Sequence, residues 1–218
     1  MKPDIQSLII HEDDQLIVIH KPAGLATQSA RIGSQDMVSL FKNYLVKSTK
    51  TKGKEPYLAV IHRLDQPVEG LLVFAKTPAA AKGLNEQLTT SGFGKYYLAT
   101  VHGIPTPEEG TLTDYLIKDA RTNSSKVCEK STPGCKIAKL HYRTLQCFED
   151  SAQLEIHLDT GRHHQIRVQM AHSGHPLIGD RKYGSEYDTD ADRDHLHLCA
   201  YRLTFKHPKT GKEMEFQL

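Results

Sequence analysis

Tryptophan is absent from this 218-residue chain, and cysteine occurs only four times. Cys128, Cys135, Cys147 and Cys199 form no C-x-x-C pair and no small disulfide framework, which predicts reduced thiols and a cytoplasmic protein. Long apolar runs are also lacking. No segment approaches the about 18 apolar residues of a membrane span, and Met1-Lys2-Pro3-Asp4 opens without a signal-like apolar region, so no membrane association is expected. A strong charge of either sign is missing: the formal net charge is +2, which does not announce a nucleic-acid binder. There is no Walker-type loop, no G-x-G-x-x-G, no G-x-S-x-G and no H-E-x-x-H. The usual nucleotide-hydrolysing, serine-hydrolase and zinc-protease classes therefore lack support.

The length is enough to bury a sizeable core without disulfides or metal. Apolar residues make up 38% and charged residues 25%, a balance that fits a folded enzyme better than a disordered chain. Lys42, Lys47, Lys50, Lys52 and Lys54 cluster with no acid before Glu55. The plain reading is a solvated, mobile loop, and the functional one is an arm that touches phosphates. No internal repeat and no domain boundary is evident, which predicts one domain over 1–218.

Ser7 to Ile10 and Leu16 to His20 read as a β-hairpin ended by Lys21-Pro22-Ala23-Gly24. Val38 to Val46 reads as a short helix, and Gly70 to Ala75 as a central strand. Thr77-Pro78 is a helix start, with Thr as N-cap and Pro at the first helical position, and Ser91-Gly92 supplies the stop. Lys95 to Val101 and Thr111 to Ile117 read as strands, and residues 118–137 as an irregular excursion. Ala138 to Cys147 and Ala152 to Leu158 form a second hairpin. A helix is expected from His163 to about His172, closed by Gly174, and a last hairpin joins Leu196 to Phe205 with Glu213 to Gln217. Many strands joined as hairpins, with few helices, predict an α+β protein with a largely antiparallel sheet.

Three constellations could carry chemistry. In His62-Arg63-Leu64-Asp65, two opposite charges stand at i and i+2 on an extended segment, directly before an apolar strand. They can share a face, and burying either requires a partner or a use; the plain alternative is a surface ion pair. In Thr160-Gly161-Arg162-His163-His164-Gln165-Ile166-Arg167-Val168, Arg167 sits in an otherwise apolar row and calls for a buried acid, for which Asp65 is the candidate; the alternative is an arginine that snorkels. In Lys95-Tyr96-Tyr97-Leu98-Ala99, alternation puts one tyrosine towards a site or the core, where it would by default be a packing residue. His195, His197 and Cys199 would share a strand face, yet no carboxylate motif accompanies them, and no metal is expected.

Taken together, these segments resemble the RluA family of pseudouridine synthases, from about Ile9 to Phe216. Val18-Ile19-His20-Lys21-Pro22-Ala23-Gly24 resembles the family's opening hairpin and Lys-Pro motif. His62-Arg63-Leu64-Asp65 is identical to its signature tetrad, and Lys95-Tyr96-Tyr97-Leu98-Ala99 is similar to its K-x-Y-L-A strand. Gly161 to Val168 resembles G-R-T-H-Q-I-R-V. Gly174 to Asp180 with Tyr183-Gly184, and Leu198 to Phe205 with His207-Pro208 and Thr210-Gly211, resemble the segments that follow.

The resemblance implies the pseudouridine synthase fold and the isomerisation of a uridine in tRNA or ribosomal RNA, with no cofactor and no metal. It implies that Asp65 is the catalytic carboxylate, acting either on the uracil ring or at the sugar carbon. Arg167 would pair with Asp65, and Tyr97 would stack on the base and assist loss of the C5 proton. Arg63 would fill the space left by the flipped nucleotide, Ile166 would line the base pocket, and His62, Lys21, Arg162 and His164 would lie at the substrate. RNA is the implied partner, and a monomer is the default.

The chain departs from the family pattern in having Val68-Glu69 where Thr-Ser is usual and His163 where Thr or Ser follows Gly-Arg. It also begins at the catalytic hairpin, where many relatives carry an extra RNA-binding domain. Substrate reading is then expected from the catalytic domain, with the 42–54 and 118–137 segments. Two other classes compete: a non-catalytic RNA-binding protein on the same fold, and a metal-dependent hydrolase built on His195, His197 and Cys199.

Overall fold

The structure is a computed structural model that describes residues 4–29, 33–48, 55–90, 92–184, 186 and 195–218. Lys50, Lys52, Lys54 and Ser91 lie outside the described residues. The chain divides into two compact units: residues 1–94 with 200–218, and residues 95–199.

In the first unit, β1 (Ile9–Glu12) and β2 (Leu16–Lys21) form the expected hairpin. Asp13 sets its turn by accepting the Gln15 and Leu16 amides through Oδ1 at 2.6 and 2.9 Å. β2 pairs antiparallel with β4 (Glu69–Ala75), with Ile19 opposite Leu72 and Lys21 opposite Gly70, and the two-residue β3 (Ala59–Val60) also pairs with β4. Both apolar runs are buried on two faces, as continuous hydrophobic strands require. On one face Leu16, Val18, Leu71 and Val73 cluster with Ala80, Ala81 and Leu84 of α2 (Pro78–Thr89). On the other, Phe41 of α1 (Met37–Ser48) lies 6.3 Å from Phe74. Thr77 caps α2 as the sequence indicates, its hydroxyl accepting the Ala80 amide at 3.1 Å. α1 is capped by Asp36, which accepts the Ser39 amide at 2.7 Å.

The other unit carries β5 (Gly94–His102), β6 (Glu109–Asp119), β7 (Ser124–Cys128), β8 (Lys136–Cys147) and β9 (Ser151–Leu158), in the order β5-β9-β8-β6-β7, all neighbours antiparallel. β7 corrects the reading of 118–137 as irregular. Its sequence, Ser-Ser-Lys-Val-Cys, offers no apolar alternation; it pairs through its backbone with β6 from Tyr115↔Cys128 to Asp119↔Ser124. α3 (Gln165–His172) follows β9 and packs over β6 and β7. It ends as expected at Gly174, which takes a φ of +86° so that its amide reaches Ala171 O and that of His175 reaches Met170 O. The closing hairpin, β10 (Leu198–Lys206) with β11 (Glu213–Gln217), is as the sequence indicates.

Candidate active site

The loop that carries Asp65 is held by a buried cation. Lys21 ends β2 with its side chain fully buried. Its Nζ donates to three main-chain carbonyls: Pro22 at 2.9 Å, Leu25 at 2.6 Å and Gln66 at 3.2 Å. Those bonds use all three donors of an ammonium and stitch the Lys-Pro loop to the loop after the tetrad. Thr27, also buried, clamps the peptides around Leu64: its hydroxyl donates to Leu64 O at 2.9 Å and accepts the Leu64 amide at 3.1 Å. Gly24 and Gln66 add a reciprocal pair, Gly24 N to Gln66 O at 2.9 Å and Gln66 Nε2 to Gly24 O at 3.0 Å.

Burial pushes the Lys21 ammonium down to about 8, while the charges of Asp65 and Glu69 pull it back up. The lysine that the resemblance puts at the substrate therefore positions the Asp65 loop and places a positive field on it. Glu69, the departure from the family pattern, falls in the same field. Arg63 is exposed and Asp65 half-buried, with Leu64 pointing inward between them. His62 turns its ring edge-on to Phe93 at 5.5 Å, so packing accounts for part of its place. Gly70 is required by close approach: with φ at +130°, a Cβ there would stand 2.4–2.7 Å from the Ala200 backbone.

In the second unit, Lys95, Tyr97, Ala99 and Val101 form the buried face of β5, and Tyr96 and Leu98 the other, as alternation demands. Tyr97 is therefore the inward tyrosine. Tyr96 instead stacks on His157 at 4.7 Å. The turn that precedes α3 is organised by Gln165. Its Oε1 accepts the Thr160 hydroxyl at 2.7 Å and the Arg162 amide at 2.9 Å, and its Nε2 donates to Lys139 O at 3.1 Å. Arg162 is tied through Nε to Ile137 O at 2.8 Å. Ile166 is buried in the first turn of the helix.

The helix starts at Gln165, not at His163, because His164 has φ +53° and ψ 27°, a left-handed conformation that an L residue adopts only when its surroundings hold it there. Here the ring is buried on Tyr183, with His164 Nδ1 and the Tyr183 hydroxyl 2.8 Å apart. That hydroxyl also accepts the Ser125 amide at 2.8 Å. Burial is the first cause that holds the His164 pKa down at about 3; Arg167, His163, Lys182 and Lys118 add to it. His163 stacks on His164 at 3.8 Å and reaches Ser125 Oγ at 2.9 Å.

Arg167 does meet a buried acid. Within its unit that acid is Asp180, which the sequence reading quoted without a role: Nε and Nη2 bond Oδ2 and Oδ1 at 2.7 and 2.6 Å, with both side chains buried. Asp180 Oδ1 also accepts the amides of Lys182 and Tyr183, and the Arg167 guanidinium lies 5.1 Å from the Tyr183 ring centre. Asp180, Tyr183, Gln165 and Thr27 were missed as positioning residues. Asp180 and Tyr183 carried a signal through the Gly-Asp and Tyr-Gly matches and Gln165 through the Gly-Arg match, whereas Thr27 carried none.

His195 and His197 stack on each other at 4.6 Å. Among the described residues, no three His, Cys, Asp or Glu side chains are grouped to hold a metal ion, so the histidine-cysteine trio gives the hydrolase reading no support. None of the four cysteines is joined in a disulfide. Among the described residues no helix is long and apolar enough to cross a membrane.

Comparison with known proteins fits this arrangement. The family model described as RNA pseudouridylate synthase matches residues 15–172, a span that includes Lys21, the tetrad, Tyr97 and Arg167. The chain is 33% identical over 211 residues to an uncharacterized RNA pseudouridine synthase, YlyB, of Bacillus subtilis, covering 96% of this chain and 67% of that protein. It is 35% identical over 226 residues to ribosomal large subunit pseudouridine synthase D of Vibrio cholerae, covering 98% and 67%. Against the Neisseria meningitidis enzyme of the same name it spans 57% of the relative's length. The solved structure of human RNA pseudouridylate synthase domain containing 4 shares the fold, with a TM-score of 0.80 at 22% identity over 98% of this chain and 88% of that one. The chain belongs to the RNA pseudouridylate synthase family, of the RluA type, and is an RNA-modifying isomerase.

Proposed function

We propose that this RNA pseudouridine synthase acts on one uridine of ribosomal or transfer RNA, with Asp65, Tyr97 and Arg167 as its catalytic residues, and that the two units work as one catalytic domain of a monomeric, cytoplasmic enzyme. The relatives named for the large ribosomal subunit favour ribosomal RNA. The observation that carries the reading is the tetrad loop: a carboxylate presented from a clamped turn, in the field of a fully buried lysine. The ammonium's three donors go to carbonyls, so its charge acts on that carboxylate without occupying the carboxylate oxygens.

The uridine leaves the stack, because its reacting atoms are inaccessible inside a helix. Arg63, exposed and planar, takes the vacated space. Asp65 acts on the uracil ring or on the sugar carbon. The bond from N1 to the sugar breaks, the base turns, C5 bonds to the same sugar carbon, the C5 proton is lost with help from Tyr97, and N1 ends with a proton, so that the product is an isomer of the substrate. Arg167, its guanidinium oriented by Asp180, pairs with Asp65 and fixes its position, and Ile166 lines the base pocket. His62, Arg162 and His164 stand at the substrate; the neutral ring of His164 supplies a hydrogen-bonding edge without adding charge.

The test is to map pseudouridine in total RNA by carbodiimide labelling and primer extension in wild type, in a deletion strain, and in the deletion carrying either the intact gene or Asp65→Asn. A site should vanish in the deletion and return only with the intact gene, while purified Asp65→Asn keeps its RNA affinity. A site restored by Asp65→Asn would refute the catalytic assignment. RNA binding with no changed site would favour a binding protein.

A further inference from the structure

Three cationic side chains, Lys21, Lys95 and Arg167, are buried among the described residues. Two are satisfied within the protein: Lys21 by carbonyls and Arg167 by Asp180. Lys95 is not. It is only 8% exposed, yet among the described residues no acceptor bonds its Nζ. The ammonium lies against the turn before α3, where a Cβ on Gly161 would stand 3.4 Å from Nζ. The carboxylate in its neighbourhood, Asp159, is already held at 3.0 Å by both Lys139 Nζ and His141 Nε2. Burial lowers the Lys95 pKa, Arg162 pushes the same way, and Asp159 opposes them. Two like charges thus stand near each other, with the stem of one buried and its ammonium bonded to no acceptor among the described residues, an unfavourable arrangement in the free protein.

Such a pair is favourable only once an anion enters from outside. The alternation of β5 puts Lys95 on the same face as Tyr97, two residues away. An ammonium suits a compact oxyanion as a point donor, and a guanidinium adds a planar donor set beside it. We propose that Lys95, with Arg162, receives a backbone phosphate of the RNA beside the nucleotide presented to Tyr97. This rests on the reading of the protein as an RNA pseudouridine synthase. It makes Lys95 a substrate-positioning residue with no part in bond making. Gly161 belongs to the site because a side chain there would crowd the ammonium.

The experiment uses the full chain and bulk RNA from a strain lacking the gene. Binding is measured across salt concentrations, isomerisation by tritium release from RNA labelled at uridine C5, and stability by thermal melting. Each phosphate contact contributes about 0.7–0.9 to the slope of log affinity against log salt. Lys95→Met is expected to bind more weakly with a slope shallower by that amount, to raise KM more than it lowers kcat, and to melt at the same or a higher temperature than wild type. Lys95→Arg should keep the slope.

Wild-type slope and affinity in Lys95→Met, or a lowered melting temperature with unchanged RNA binding, would overturn the proposal. If Lys95→Met does not fold, Gly161→Ala decides: it keeps the charge and covers it with a methyl group. Reduced affinity in a variant of normal stability supports the site, and normal affinity refutes it. Failure of the wild type to release tritium from any RNA would instead strike the isomerase reading, while the salt slopes still judge the phosphate site.

Discussion

Lys21 and Arg167 are both buried cations next to segments that carry proposed catalytic residues, and they are satisfied in opposite ways. Lys21 meets three neutral carbonyl dipoles and keeps its net charge. Arg167 meets a carboxylate in a bidentate pair that cancels the charge on both sides. A cation held by dipoles still projects a field, and Asp65 and Glu69 sit in it. A cation held by a carboxylate gives rigid geometry, because two parallel bonds fix the guanidinium plane. The first arrangement favours an ionised acid nearby, and the second fixes the position of a side chain. Lys95, with neither kind of partner, marks what a buried cation looks like when its partner comes with the substrate.

The comparison breaks most visibly at Arg167. Arg167→Ala strands Asp180 in the interior, and removal of one partner of a buried pair costs about 3–5 kcal/mol. Denaturant unfolding should show that loss, and Arg167→Ala with Asp180→Ala should recover part of it. A stable, active Arg167→Ala protein would show that the pair is dispensable.

Lys21→Met comes next. It preserves bulk but leaves three carbonyls without their donor, for an expected loss of about 2–3 kcal/mol. It also removes the field on Asp65, so the acidic limb of the kcat/KM profile should move to higher pH. Arg167→Lys, which keeps a charge but not the fork, should lose activity without that shift. An unmoved limb in Lys21→Met would mean that the loop is held by Lys21 but not charged by it.

The smallest effect at neutral pH belongs to His164. Its folded pKa of about 3 lies below the ordinary 6.5, so between those values the unfolded chain binds a proton that the folded one refuses. Stability is complete above about 6.5 and falls as pH drops towards 3. His164→Asn keeps a residue type that tolerates the left-handed backbone and removes the titration. Its melting temperature should depend less on pH in that window, and an unchanged dependence would place the titration elsewhere.

Much of the fold was legible because its signals are local. Thr77-Pro78 caps a helix wherever it occurs, alternation in Lys95 to Val101 selects Tyr97 over Tyr96, and apolar runs such as Leu71 to Ala75 must be covered on both faces. The tetrad, the tyrosine strand and the Gly-Arg turn could be singled out for the same reason: charges beside apolar strands are unfavourable unless used. β7 was illegible because its support comes from β6 and from Tyr183, neither of which leaves a periodic pattern in Ser124 to Cys128. The helix start was misplaced by two residues because His164, packed against His163 and Tyr183, takes a left-handed backbone that no local sequence pattern signals.

The sequence by itself determined the α+β class, most strands and helices, and the residue types available for chemistry. Only the tertiary structure decided which partners those residues have: carbonyls for Lys21, Asp180 for Arg167, and for Lys95 no described acceptor. The physical reason is that hydrophobic periodicity and capping act over a few residues, whereas the partner of a buried charge is chosen by whatever the fold brings within about 3 Å, at any distance along the chain.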